Sequence, residues 1–333
     1  YCRAQLSSLP NGEALLHVYD KLVAGIDDCA ETIEVSNDQY KLKLDEFLLA
    51  LEAVRRDHTE QFWLSTAYTY NRDSQGNIVN MIPQYLMTGA ELDAAKVAFN
   101  QAIDKMVANV TPGMSEYEKE KTLHDLLAVQ VTYVSTTNAH NAYGALIEGK
   151  AVCEGYAEAL QCLLQRVGMQ SIQVYGESRG ENHAWNMVRV DGKYYLTDLT
   201  WNDQDTMLWY AYFNQNHEVF KDHTQWRVGH DAKHNTELSC EVFDLPVCTA
   251  TEASYFAKNG PIITTCDITQ IGTLMKENDL SVSVFIDHNA TFDAEQFTQW
   301  YQTNATEIAK VAGVSAEEVM EQILKEVKIP AIR

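Results

Sequence analysis

Three residues near the middle of this 333-residue chain could together carry out acyl transfer: Cys153, His183 and Asp198. An ionised thiol is a strong nucleophile, and an imidazole can take and return its proton. A carboxylate beside the imidazole fixes which ring nitrogen carries the proton. Whether the three side chains meet depends on the elements that hold them.

Cys153 stands at the predicted start of a helix. The segment GKAVCEGYAEAL (149–160) leads into a helical pattern that ends near Gly168, a favourable C-terminal glycine. Free N–H groups and the positive end of the helix dipole in the first turn favour thiolate over thiol. Cys162 points to the opposite side of the same helix, at about 100° per residue, and is interpreted as a small core residue. The apolar residues that share the face of Cys153 are Ala157, Leu160 and Leu164.

His183 and Asp198 lie on the two arms of a predicted β-hairpin. Asp191-Gly192 separates two strand patterns, and this dipeptide is typical of a two-residue type I′ turn. The turn sets the register: Val190 with Lys193, Met187 with Leu196, Trp185 with Asp198, and His183 with Thr200. Directly opposed residues share a face, so His183, Trp185 and Asp198 are expected to point the same way.

Each of these residues also has an ordinary structural interpretation. Cys153 could be a buried inert thiol, and His183 and Asp198 could be a satisfied surface histidine and an exposed strand carboxylate. The three types in this arrangement are much rarer by chance, which favours the catalytic interpretation. Trp185 and Trp201 flank the predicted site in sequence and are candidates to line it for the substrate, although packing is the more common role for each.

Composition limits the partners. Lys and Arg total 25 against 47 Asp and Glu, a formal net charge of −22, and such a field repels nucleic acid and anionic membranes. No apolar run approaches the roughly 18–20 residues of a membrane-spanning helix. A loose group of histidines matches no zinc signature, and no EF-hand loop is present, so we expect no metal and no cofactor. Its members are His217, His223, His230 and His234, with Asp222 and Asp231.

The remaining pattern predicts three regions. Residues 1–110 are expected to form a mostly helical extension with a short hairpin at about 62–85, and residues 111–250 the catalytic core. Residues 251–333 are expected to form a small α/β lobe packed on that core, with a strand at 280–286 and helices at about 294–311 and 315–327. Cys240 and Cys248, two of seven cysteines, are close enough in sequence to form a disulfide.

The strings AYGAL (142–146), GKAVCEGYAEAL (149–160) and HAWNMVRVDGKYYLTDLTWND (183–203) resemble the transglutaminase-like superfamily, which has a papain-like layout. The similarity is greatest to its bacterial secreted or surface members. The resemblance implies an α+β core in which a helix carrying the cysteine packs on an antiparallel sheet carrying His and Asp. It assigns Cys153 as nucleophile, His183 as general base and acid, and Asp198 as the residue that orients the imidazole.

The same resemblance implies acyl transfer or hydrolysis at protein or peptide amides through a thioester. We expect hydrolysis, since transfer to an amine also requires exclusion of water. The backbone N–H of Cys153 is the first oxyanion donor, with His140 and Tyr143 as candidates for the second. The alternatives are a catalytically silent binding protein and a structural surface module. Together with the cysteine count and the absence of an initiator Met, the resemblance predicts a location outside the cell or on its surface.

Overall fold

The computed structural model describes residues 1–204, 207–208, 210–225, 230–231, 236–237, 243–259, 262–263, 265–277, 285–286 and 294–320. Helices and strands are mixed along the chain, which makes the protein an α+β fold, as predicted. No helix in these ranges has the length and apolar character needed to cross a membrane.

The elements before the candidate nucleophile are mostly helical. In chain order they are α1 (Cys2–Leu6), α2 (Gly12–Asp27), β1 (Ile33–Glu34), α3 (Leu44–Asp57), β2 (Leu64–Arg72), β3 (Ile78–Tyr85), α4 (Gly89–Val107), α5 (Glu116–Gln130), β4 (Thr132–Tyr133), a π-helical turn (Gly144–Glu148) and β5 (Lys150–Ala151). The first three strands form an antiparallel sheet in the order β1-β3-β2, and β4 pairs with β5 in parallel. The predicted helices and short hairpin of this region are confirmed.

The following elements carry the site and the C-terminal region. They are α6 (Cys153–Arg166), β6 (Ser171–Ser178), β7 (Glu181–Val190), β8 (Lys193–Thr197), α7 (Leu199–Asn202), β9 (Asp203–Gln204), β10 (Met207–Leu208), β11 (His223–Gln225), β12 (His230–Asp231), β13 (Thr236–Glu237), α8 (Tyr255–Asn259), β14 (Ile262–Ile263), α9 (Ile268–Glu277), β15 (Phe285–Ile286) and α10 (Ala294–Ala312). Four of them build an antiparallel sheet in the order β11-β6-β7-β8.

Helix α6 packs on β6 and β7 of this four-stranded sheet. The helix begins at Cys153, as predicted, and Gly168 just beyond its end has a φ of +78°, the left-handed conformation that suits glycine. The predicted apolar face is buried, since Ala157 is 2% exposed and both Leu160 and Leu164 are 0% exposed. This burial fixes the position of the helix start relative to the sheet.

The β7–β8 hairpin has the predicted turn and most of the predicted register. Asp191 and Gly192 both have positive φ, as a type I′ turn requires, and the ladder runs from Val190–Lys193 to Asn186–Thr197. The predicted pairs Trp185–Asp198 and His183–Thr200 are wrong. The strand ends at Thr197 because the Asp198 side chain accepts a hydrogen bond from the Trp201 N–H and thereby starts α7.

Several sequence predictions fall partly outside the described residues. Helix α10 agrees with the predicted helix at 294–311, and the next helix begins at the predicted position, where the Ser315 hydroxyl accepts from the Glu318 N–H at 3.2 Å. Of the predicted strand at 280–286, residues 285–286 are described. The proposed disulfide lies outside the described residues because Cys240 does. Helices α9 and α10 share their own apolar cluster, which includes Ile271, Tyr301 and Ile308.

Candidate active site

Cys153 is the first residue of α6, and its side chain is partly exposed. The residue before the helix, Val152, provides no side-chain cap, so the N–H groups of the first turn keep their positive potential for the sulfur or for a ligand. Gly155 in the same turn allows the chain to approach closely, since a Cβ there would lie 2.4 Å from the Ala139 carbonyl oxygen. The helix start is therefore held tightly against the preceding loop.

His183 connects the thiol to a buried carboxylate. Its Nε2 donates to Asp198 Oδ2 at 2.6 Å, and the Cys153 side chain is near enough to act on the charge of the imidazole. With Nε2 committed to the carboxylate, Nδ1 is the nitrogen available to the sulfur. The start of α6, the start of β7 and the N-cap of α7 thus supply a nucleophile, a base and an orienting acid to one place.

The charges of this trio stabilise one another. Burial lowers the pKa of His183, but the Asp198 carboxylate and the Cys153 sulfur outweigh it and raise that pKa to about 10. Burial also favours protonation of the fully buried Asp198, yet the hydrogen bonds and charges of His183 and His223 hold its pKa well below the usual range. Both shifts favour a protonated His183 beside an ionised Asp198.

A second histidine, His223, binds the same carboxylate. Its Nε2 lies 3.1 Å from Asp198 Oδ2 and its Nδ1 lies 2.8 Å from Asp222 Oδ1. The sequence placed His223 and Asp222 in the loose histidine group without assigning either a role. The sequence shows that Asp222 and His223 are adjacent. It does not show that they reach the site, because the pairing of β11 with β6 that brings them there joins distant parts of the chain. His217 instead bonds to the backbone of Cys248, the side chain of His230 is not described, and His234 lies outside the described residues.

Among the described residues, one set of His, Cys, Asp and Glu side chains is close enough to hold a metal ion. The ligand atoms of His183, Asp198 and His223 all lie within 4.8 Å of one another. Two nitrogens and one carboxylate oxygen would suit a transition metal such as Zn²⁺. The distances within the set are those of N–H···O hydrogen bonds, so protons also account for the closeness. The expected absence of a metal therefore stays a prediction.

Aromatic rings enclose the imidazoles. Trp185 is 3% exposed and stacks on His183 with ring centroids 5.9 Å apart, and Trp201 lies 5.5 Å from the same ring. The guanidinium of Arg179, at the tip of the β6–β7 hairpin, lies 4.1 Å from the Trp201 ring centroid. These contacts exclude water from the His183–Asp198 hydrogen bond and strengthen its electrostatic component. The two tryptophans thus do pack, and they pack on the triad histidine.

Tyr133 was not identified from the sequence, yet its hydroxyl lies near the Cys153 backbone and the Cys153 sulfur, both of which act on its pKa. The residue pairs with Ala151 through the β4–β5 ladder and is 56% exposed, so its hydroxyl lies at the open side of the nucleophile. Burial of the hydroxyl and the nearby negative groups, Cys153 first, raise the pKa of Tyr133 and keep it a hydrogen-bond donor. An exposed two-residue strand leaves no periodic signal in a sequence.

The two oxyanion candidates named from sequence make other contacts. His140 is largely exposed and its Nδ1 lies 3.1 Å from Glu154 Oε2, which raises the pKa of the imidazole. The Tyr143 ring packs against Phe62 with centroids 4.8 Å apart and contributes to the main core. In their described contacts, neither side chain bonds to Cys153.

Buried polar groups of α5 support the segment that carries Asp198. Asn214 Nδ2 donates to Glu120 Oε2, and Thr197 Oγ1 lies 3.1 Å from Glu120 Oε1. Burial raises the pKa of Glu120 to about 8. A neutral Glu120 can donate to the Thr197 hydroxyl, which then donates to the side-chain oxygen Oδ1 of Asn214. One turn later, the fully buried His124 accepts from the Asn202 amide. These bonds fix the residue before Asp198 and the helix that follows it.

Comparison with known proteins agrees with this layout. Residues 104–199 match the family model of the transglutaminase-like superfamily. The chain is 24% identical over 156 residues to kyphoscoliosis peptidase of Mus musculus, which is 40% of this chain and 23% of that protein. This chain therefore matches less than a quarter of the length of that curated relative.

Two solved structures are similar to part of this chain. A TGase structure is similar over 48% of this chain and 49% of its own, at 18% identity and a TM-score of 0.30. A candidate cysteine protease from Cytophaga hutchinsonii is similar over 48% of this chain and 65% of its own, at 11% identity and a TM-score of 0.29.

Proposed function

Because the central part of this chain belongs to the transglutaminase-like superfamily, we propose that the protein is a cysteine enzyme that cleaves or exchanges amide bonds of protein or peptide substrates through a thioester. One observation supports this above the others. A single imidazole bonds to the buried carboxylate of Asp198 and lies near enough to Cys153 for the sulfur to raise its pKa. That arrangement provides a nucleophile, a proton carrier and a fixed tautomer at one point.

The reaction then follows from the resting charges. The Cys153 sulfur forms a bond to the carbonyl carbon of a carboxamide or peptide, and the His183 imidazolium delivers its Nδ1 proton to the departing nitrogen. The C–N bond breaks, ammonia or an amine departs, and the acyl group remains on Cys153 as a thioester. Water or a primary amine next attacks the thioester, its proton passes to His183, and the sulfur leaves as thiolate. Asp198 stabilises the imidazolium in both steps and keeps its own charge.

Tyr133 replaces His140 and Tyr143 as the candidate for the second oxyanion donor. Its hydroxyl lies near the Cys153 backbone, whose N–H is the first donor. When a carbonyl oxygen enters between them, both groups can donate to the negative charge that develops in the transition state. Trp185 and Trp201 pack against the His183 ring and exclude water from its hydrogen bond to Asp198.

Hydrolysis is the proposed outcome over transfer to an amine. Residue Cys153 is partly exposed and Tyr133 near it is more than half exposed, so water can reach the thioester. A location outside the cell or on its surface, in a bacterium, is proposed from the family resemblance.

The reaction can be tested with a glutamine-containing peptide, incubated with and without a primary amine. Cys153→Ala is the inactive variant, and Cys162→Ala is its control, since Cys162 is a buried thiol of the same helix. Ammonia release without the amine supports carboxamide hydrolysis, amine incorporation supports transfer, and a new peptide N-terminus supports a peptidase. Equal product from the wild type and Cys153→Ala, or none from a set of unfolded protein substrates, would contradict the proposal.

A further inference from the structure

Asp198 accepts an unusual number of hydrogen bonds for a carboxylate that is 0% exposed. Its Oδ1 accepts from the Trp201 N–H at 3.1 Å, and its Oδ2 accepts from His183 at 2.6 Å and from His223 at 3.1 Å. Two imidazoles on one oxygen prevent the carboxylate from rotating away from either. The nucleophile, base and acid of the proposed function leave His223 without an assigned task.

We propose that His223, supported by Asp222, is a positioning residue that holds the Asp198 carboxylate against His183; this rests on the proposed function. The sheet sets its place. His223 pairs with Ser178 on β6, whose other neighbour is β7 with His183, and the Ser178 hydroxyl donates to the Asp222 carbonyl at 2.9 Å. The base and its support therefore lie on either side of one central strand.

His223 lies between two carboxylates. Its two ring nitrogens face Asp198 on one side and Asp222 on the other. The Asp222 carboxylate also accepts from Tyr212 at 2.9 Å and pairs with Arg179 at 3.3 Å. Burial favours protonation of Asp222, but His223 and Tyr212 outweigh it and lower its pKa.

Acidic and basic side chains consequently alternate from the protein surface to the active site. Arg179 pairs with Asp222, Asp222 with His223, His223 with Asp198, and Asp198 with His183. The buried Asp198 carboxylate therefore has a histidine on either side. Removal of His223 leaves its Oδ2 with one of these two partners, so the carboxylate is held less firmly against His183.

The rate of alkylation of Cys153 as a function of pH, read by peptide mass spectrometry, measures this support without a known substrate. His223→Phe fills the space but removes both donors, whereas His223→Gln keeps a donor toward Asp198. His217→Gln is the control, because His217 is a histidine that bonds to the backbone of Cys248. Alkylation of buried Cys162 reports unfolding in every sample.

We expect His223→Phe to slow Cys153 alkylation at pH 5–6 by roughly 10-fold, the low end of the effect of losing a hydrogen bond to a charged group and less than the loss expected when Asp198 itself is replaced. His223→Gln should restore most of the rate, and His217→Gln should lower the melting temperature alone. A folded His223→Phe with the wild-type profile, or the same loss in His217→Gln, overturns the inference. Wild-type Cys153 that reacts like an ordinary thiol overturns the proposed function and the inference with it.

A metal is the competing explanation for the same cluster. If a chelator removes the low-pH reactivity of the wild type and Zn²⁺ alone restores it, an ion joins His183, Asp198 and His223, and the hydrogen-bond assignment is overturned. Unchanged reactivity in chelator, with Zn²⁺ either inert or inhibitory, supports the proton-based arrangement.

Discussion

Replacing Asp198 by asparagine keeps the shape of the side chain and removes its charge. An asparagine with its oxygen toward the Trp201 N–H presents its NH₂ group to His183 and His223, both of which donate in the native site. His183 must then accept at Nε2 and carry its proton on Nδ1, so it cannot take a proton from Cys153. The opposite amide orientation keeps the tautomer but places NH₂ against the Trp201 N–H and loses the start of α7.

The size of the effect follows from the charges. With the pKa of His183 at about 10, the imidazolium outnumbers the neutral ring by about a thousandfold at pH 7. Burial lowers that pKa and Asp198 is the largest group that raises it, so the neutral variant should have mostly uncharged His183 at pH 7. A thiol with no imidazolium beside it has an ordinary pKa and is only about 0.03% ionised at pH 5. The thiolate of such a thiol is the stronger nucleophile, which offsets part of the lower rate that its small ionised fraction causes. We expect alkylation of Cys153 at pH 5 to fall roughly 50-fold and turnover by about 10³- to 10⁴-fold.

Alkylation kinetics at pH 5 and kcat/KM on a glutamine peptide measure the two effects in the same preparations. Cys162 should stay unreactive in both proteins, which shows that α6 remains packed. The reasoning is refuted if Asp198→Asn is folded and retains more than about a tenth of the wild-type value in either assay.

Two further predictions concern the surroundings of the triad. Tyr133→Phe should lower kcat by about 10²-fold with little change in KM or in Cys153 alkylation, as expected for loss of an oxyanion donor; an equal or higher kcat would show that the hydroxyl obstructs the site. The pKa of Glu120, about 8 in the folded protein, exceeds its ordinary value of 4.5, so its contribution to stability falls as the pH rises from 4.5 to 8. Glu120→Gln should remove that decline and Glu120→Ala should cost about 2–4 kcal/mol in the free energy of unfolding, measured by urea denaturation at pH 5 and pH 8; an unchanged pH dependence in Glu120→Gln would refute the assignment.

Local signals in the sequence were sufficient for the elements that carry the triad. Asp191-Gly192 determined the hairpin and its register, and Gly168 with the apolar face of α6 determined where the cysteine helix begins and ends. The error came at Asp198, where two local preferences compete. As a strand residue it would have paired with Trp185, but a carboxylate that can cap the next helix ends the strand instead.

The residues that sequence analysis missed are placed by non-local contacts. His223 reaches the site because a three-residue strand joins the edge of β6, and the chain between α7 and that strand has no periodic pattern that would predict the pairing. Tyr133 lies on an exposed two-residue strand, where periodicity carries no information. The division of the chain at 110 and 250 stays a prediction.

The most direct test of the central claim, that one imidazole couples a thiol to a buried carboxylate, is the titration of His183 by NMR in protein labelled with ¹⁵N-histidine. Its resonances can be assigned by their loss in His183→Gln. We expect both ring nitrogens of His183 to remain protonated at pH 8, with a pKa near 10 that falls in Cys153→Ala because the sulfur contributes to the shift. Titration of the wild-type ring at or below its ordinary pKa of 6.5, unaffected by Cys153→Ala, would contradict it.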